Sequence, residues 1–302
     1  MEQLVNVIPL SSELPIYIAI DLSIAIALLF AIRWLSGVLN KVDVNHELGE
    51  RDNFAFGVSV AGRMIALTIV LSAVVGRHVG LGYDVAALSM LTFGALGIVL
   101  VRIGRFAHDK LVLNQLDKDE MIGEKNVSVG LVDAASAIAS AIITKSIIEW
   151  ADGNDLHAFV AIVTGAIVVL AVLLIATRIY EYRFAEKNQN SSFQKTLCKG
   201  QIALAIQHSG NLIGIAIAVS ATSKVLAYEP EAYVTNVTGW LFVGICMAIV
   251  LMMLTSICKR VVLAGVQWRS EVSLQHNIGI ASIEAVLAIG IALLFSNIFV
   301  FG

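Results

Sequence analysis

Two acidic residues stand inside apolar stretches of this 302-residue chain, each at the end of the same local pattern. The first stretch reads Asn126-Val-Ser-Val-Gly130-Leu-Val-Asp133-Ala134, and the second reads Asn277-Ile-Gly-Ile-Ala281-Ser-Ile-Glu284-Ala285. Each acid follows its Asn by seven residues, with β-branched and small residues at matching places. Seven residues are two helical turns, so Asn and acid share one helix face. The carboxylate then lies about 10 Å deeper along the axis. A carboxylate within a membrane helix is costly and defaults to a functional reading. Here that reading is a proton- or cation-binding group facing the interior of a bundle. The competing reading is a buried hydrogen bond that locks helix packing.

Other polar residues fall into register with these two. Arg63 lies about 15 Å from the nearer end of its apolar stretch, too deep to reach water easily, and needs a partner. Asp133 is the candidate, and Asp21 is a second one nearer the outer surface. At an offset of 148 the residue matching Arg63 is Asn211. The expectation is therefore asymmetric. Arg63, Asp133 and Asn126 form a neutralised structural group in the first half. Glu284 in the second half meets Asn211 and has no fixed cation. A carboxylate without a counter-charge holds its proton more tightly. His208 would be its titratable partner, with Gln207 and Asn277 completing an ion- or substrate-binding site. Gly210 and Gly214, matched by Gly62 and Ala66, bring small residues four apart and read as close helix contacts. Those contacts would join the two halves across a pseudo-two-fold axis or form a homo-oligomer.

The elements that must position these residues are membrane spans. The chain is 58% hydrophobic and only 14% charged, with mean hydropathy +0.85, against about 25% charged residues in soluble domains. A span needs roughly 20 apolar residues, and eight such stretches are present, near 16–39, 53–75, 84–106, 125–148, 156–180, 201–222, 235–258 and 274–299. The runs are continuous and do not alternate with period two, which disfavours a barrel. Of the 20 Lys and Arg residues, sixteen fall in or beside the odd-numbered connections, and Arg63, Arg77, Lys145 and Lys224 are the remainder. The positive-inside rule makes those connections cytoplasmic and puts both termini on the outer, periplasmic side. The expected fold is an all-α polytopic bundle of two parallel four-helix repeats, 1–150 and 151–302. A polar stretch at 182–199 would be a flexible cytoplasmic linker, and the charged segment 116–124 a solvated loop or short helix. Lys145 and Glu149 read as a surface pair.

Each half resembles the bacterial inner-membrane family known as domain of unknown function 350, the YjfL-like proteins. The resemblance rests on Asn53-Phe-Ala55 with Gly62, and Asn126 through Ala134. Their counterparts are Gln201-Ile-Ala203 with Gly210, and Asn277 through Ala285. The second half departs in having Gln201 where the pattern favours Asn. The resemblance implies a multi-span unit of the bacterial inner membrane with no established activity, in a family associated with envelope-stress and polyamine-related gene neighbourhoods.

Several function classes drop out. Net charge −3 gives no reason to expect a nucleic-acid partner. Cys198, Cys246 and Cys258 form no CxxC and read as free thiols. No Walker loop, HExxH or GxSxG is present, and neither a cofactor nor an enzymatic role is expected. The expected function is an ion or proton channel, or a secondary transporter of a small cation. The alternative is a non-transporting scaffold for cytoplasmic envelope-stress partners.

Overall fold

The computed structural model describes residues 11–75, 80–153, 155–188 and 191–299; the two ends of the chain and Arg77 lie outside these. Among the described residues all regular structure is helical. The helices are α1 (Leu14–Asn40), α2 (Phe54–Leu71), α3 (Tyr83–Ala107), α4 (Lys118–Gly123), α5 (Val127–Trp150), α6 (Leu156–Lys187), α7 (Phe193–Cys198), α8 (Ile202–Ser220), α9 (Tyr233–Val262), α10 (Trp268–Ser273) and α11 (Ile278–Ile298). Eight of them, all but α4, α7 and α10, are long and apolar enough to cross a membrane. Large apolar side chains such as Phe30, Trp34, Phe242 and Val286 are exposed on their outer faces, as a lipid environment requires. The chain is a multi-pass helical membrane protein.

A recurrence finer than the two-copy pattern organises the bundle. Each long helix is followed by a short helical turn and then by a capped span. The caps are Asn53, Asn126, Gln201 and Asn277, at steps of 73, 75 and 76 residues. The residue before each cap is in the left-handed region: Asp52 (φ 52°), Lys125 (64°), Gly200 (77°) and His276 (56°). Only one of the four is glycine, so the fold imposes a conformation that costs roughly 1–2 kcal/mol in the others. Hydrogen bonds from the caps compensate. Asn53, Asn126 and Asn277 each accept the amide three residues on, at 3.0, 3.2 and 3.1 Å, closing the exposed amides of the first turn.

The same side chains stitch one unit to the next. Asn53 donates to the Ile122 carbonyl at the end of α4, and Asn126 to the Leu197 and Cys198 carbonyls at the end of α7. Gln201 donates to the Val272 and Ser273 carbonyls around the end of α10. Asn53 and Asn277 also donate to Glu47 and Glu271, each six residues upstream. The capped helices pack in series, α2 on α5, α5 on α8 and α8 on α11, with the longer helices laid against them. α5 is the most enclosed of the eight spans, with 78% of an apolar 18-residue stretch buried, against 17% for α1.

Two expectations are corrected here. The segment 182–199, expected to be a flexible linker, is helical over most of its described residues: α6 runs on to Lys187 and α7 spans Phe193–Cys198, while Gln189 and Asn190 lie outside the described residues. Its polar composition hides the anchors Phe193 and Leu197, both buried at 2% and 0% exposure. The glycines do not join the halves. A Cβ on Gly62 would come within 2.4 Å of Ala134, and one on Gly210 within 2.4 Å of Ala285. Gly214 lies against the Ala288 carbonyl. These contacts bind α2 to α5 and α8 to α11, inside each half. Between the halves, α5 meets α8, where the Ser209 hydroxyl donates to the Leu131 carbonyl at 3.4 Å.

Candidate functional site

Asp133 is fully buried and surrounded by cations. Arg105, from α3, donates to its Oδ1 from Nε at 3.1 Å and from Nη2 at 2.7 Å. Lys118 Nζ, from α4, lies 2.9 Å from the same oxygen. Ser59 donates to Oδ2, and Arg63 Nη2 reaches that oxygen at 3.5 Å while donating to Ser59 at 2.8 Å. Lys118 also pairs with Asp109. Three cations on one carboxylate leave no oxygen for a visitor. The expected Arg63–Asp133 pair is present, but Arg63 is the most distant of the three partners. The segment 116–124 is not simply solvated either, because its Lys118 turns inward and is 9% exposed.

Glu284 is equally buried, at 0% exposure, yet it is held differently. Its Oε2 accepts from Lys259 Nζ at 2.6 Å and from Gln207 Nε2 at 2.8 Å. Its Oε1 has no hydrogen-bond partner among the described residues. Gln207 is in turn oriented by Tyr180, whose hydroxyl donates to its Oε1 at 2.6 Å. The expectation that Glu284 lacks a fixed cation is therefore wrong: Lys259 supplies one from near the end of α9. In the sequence, its place beside the connection between the seventh and eighth spans marks it as a topological charge.

A cavity of about 700 Å³ opens beside this pair, between α6, α8, α9, α10 and α11, and both Glu284 and Lys259 line it. Gln207, Asn211 and Ile215 present one face of α8 to it, at the four-residue spacing of a helix stripe. Asn211 thus shares the cavity with Glu284. His208 does not line it. Its ring packs against Phe193 at 4.7 Å, Tyr180 at 5.1 Å and His108 at 6.2 Å between centroids, on another side of α8. Asn277 caps α11 and stays outside the cavity.

Sequence reasoning missed Arg105, Lys118 and Lys259, and did not see how Gln207 is used. One signal was present for Gln207. At the offset of 148 it matches Ser59, and both side chains donate to the acid of their half. At the offset of 150 that pairs Gly94 with Gly244, Arg105 matches Thr255, one turn before Lys259. The third span of each half thus brings a cation to the acid.

The fold and site define a multi-pass helical membrane protein carrying one buried carboxylate centre in each half. The chain belongs to the family described as Domain of Unknown Function (DUF350), which matches it twice, over residues 9–148 and 154–299, as a tandem duplication of that domain. No curated protein and no solved structure matches it.

Proposed function

We propose that the protein moves a proton or a small cation across the membrane, as a channel or a secondary transporter, with Glu284 as the exchanging carboxylate. The observation that carries this reading is a fully buried carboxylate that lines a cavity and has one oxygen, Oε1, without a hydrogen-bond partner among the described residues. Oε2 is already bound to Lys259, so an entering cation takes Oε1 and weakens the hold on the ammonium. Trp268 offers the lysine a second place: Nζ lies 5.8 Å from the centre of its ring, within range of a cation–π attraction. The site then has two arrangements, with lysine on the carboxylate or cargo on the carboxylate, which is the minimum that exchange requires. Asp133, saturated by three cations, is the structural counterpart. No catalytic reaction is assigned.

The Lys and Arg distribution supports the accompanying topology: two parallel four-span repeats, termini outside, short helices and cavity on the cytoplasmic side of a bacterial inner membrane. The test is flux of protons and alkali cations into proteoliposomes containing the wild type, Glu284→Gln or Lys259→Met. The wild type is expected to conduct and Glu284→Gln to be silent while remaining folded. Absence of flux in the wild type across the whole panel would refute transport. Recovery of a stoichiometric cytoplasmic envelope-stress protein would then favour the scaffold.

A further inference from the structure

The lining of the cavity says more than its carboxylate does. Four charged side chains line it: Arg183, Lys259, Arg269 and Glu284. Their sum is +2. Arg183 and Arg269 are exposed and form no ion pair among the described residues; Arg269 rests over the Trp268 ring at 4.7 Å. Of the small cations that Glu284 could exchange, one that carries its own anionic group is therefore opposed least by these charges. The volume points the same way. About 700 Å³ is the size of a small-molecule site, for which about 300–1,000 Å³ is typical, and is far larger than an alkali cation fills. Much of the wall is apolar, with Ile179, Ile215, Leu251 and Met252 facing the space.

Building on the reading of Glu284 as an exchange site, we infer that the cavity takes a zwitterion, a primary amine joined to a phosphate on a compact body. The amine donates to Oε1 of Glu284, which is buried and lacks a hydrogen-bond partner among the described residues. The phosphate meets Arg183 and Arg269, whose planar guanidiniums suit its geometry and its charge. The apolar wall receives the rest of the molecule. A free aminoalkyl phosphate and the head of an aminophospholipid share this chemistry.

The experiment is titration calorimetry of the full chain in detergent with phosphoethanolamine, ethanolamine and inorganic phosphate. Phosphoethanolamine is expected to bind at least tenfold more tightly than either fragment. Arg183→Ala/Arg269→Ala changes only exposed side chains and should fold normally. It is expected to abolish that advantage while ethanolamine binds more tightly, because two opposing charges are gone. Glu284→Gln/Lys259→Met leaves no lone buried charge and should cut phosphoethanolamine affinity to that of phosphate. Repeating the titration in nanodiscs assigns the source. Competition by phosphatidylethanolamine but not phosphatidylcholine identifies a lipid head, and no competition by either identifies a free solute. Equal binding of ethanolamine and phosphoethanolamine, lost in the Glu284 variant, would overturn the zwitterion while leaving the cation site standing. Phosphate binding as tightly as phosphoethanolamine, or no binding of any probe, would overturn the inference.

Discussion

Replacing Glu284 by Gln keeps the shape of the site and removes only its charge, which makes the Lys259 pair a direct test of the geometry. The Nζ–Oε2 distance is 2.6 Å, with the two side chains 10% and 0% exposed. Removing one partner of a buried ion pair strands the other, and typically costs about 3–5 kcal/mol. Lys259 is not wholly shut away, because it borders the cavity, so a value near 3 kcal/mol is expected. Lys259→Met/Glu284→Gln removes the stranded charge and should regain most of that loss, since neutral replacements of buried pairs are often close to neutral overall. The assay is denaturant unfolding of the detergent-solubilised protein, read as a double-mutant cycle. The exposed pair Lys145–Glu149, at 3.5 Å with side chains 36% and 48% exposed, is the control, and Glu149→Gln should cost less than about 1 kcal/mol. If Glu284→Gln costs no more than Glu149→Gln, or if the double variant is as unstable as the single one, the buried pair as described does not exist.

Asp133→Asn should be more damaging than Glu284→Gln, because it leaves Arg63, Arg105 and Lys118 facing one another without their common anion; yield of folded protein in a membrane extract is the measure. Gly210→Ala forces a Cβ within 2.4 Å of Ala285 backbone and should destabilise, whereas Gly290→Ala meets nothing within 4 Å and should stabilise by roughly 0.8–1 kcal/mol through helix propensity; unfolding curves of the two variants, opposite in sign, check this. Glu47, in the connection after α1, has a second signature. Burial works against its charge, but hydrogen bonds from Asn53 and Arg51 outweigh it and hold the carboxyl below its ordinary value of 4.5. Its stabilising share is therefore complete above about pH 4.5 and is lost as pH falls through the lower folded value. The stability gap between wild type and Glu47→Gln should be constant near neutrality and close in acid.

The spans were readable because hydropathy is a property of the chain itself. All eight expected stretches correspond to helices able to cross a membrane, and the caps Asn53, Asn126 and Asn277 stand where their helices begin. The burial of Asp133 and Glu284 was equally legible, since an acid in an apolar run has few other places to go. What holds each acid was not. Arg105, Lys118 and Lys259 lie near helix ends, where a basic residue is ordinarily a marker of topology, and only the packing shows their heads turned back into the bundle. His208 failed for a related reason. It lies three residues before Asn211, but the cavity face of α8 runs through Gln207, four before, and the imidazole is carried round to the aromatic cluster of Phe193 and Tyr180.

The finer recurrence sharpens the contrast between the two centres. Seven residues after the four caps stand Val60, Asp133, His208 and Glu284. One scaffold position therefore carries an apolar residue, an imidazole and two acids, which differ in their surroundings and not in their placement. At Asp133 three cations and Ser59 occupy both oxygens. Any cargo there would have to displace several charge-assisted hydrogen bonds at once, each worth about 1.5–3 kcal/mol. At Glu284 one cation and one amide share a single oxygen, the other oxygen is buried without a hydrogen-bond partner among the described residues, and the residue lines a cavity. Duplication explains why both halves have an acid. Only the unequal supply of cations explains why one would be a rivet and the other an exchange site. Moving a second cation to Glu284, as in Asn211→Arg, is therefore the change expected to bring the second centre closer to the first and to abolish flux into proteoliposomes without unfolding the chain.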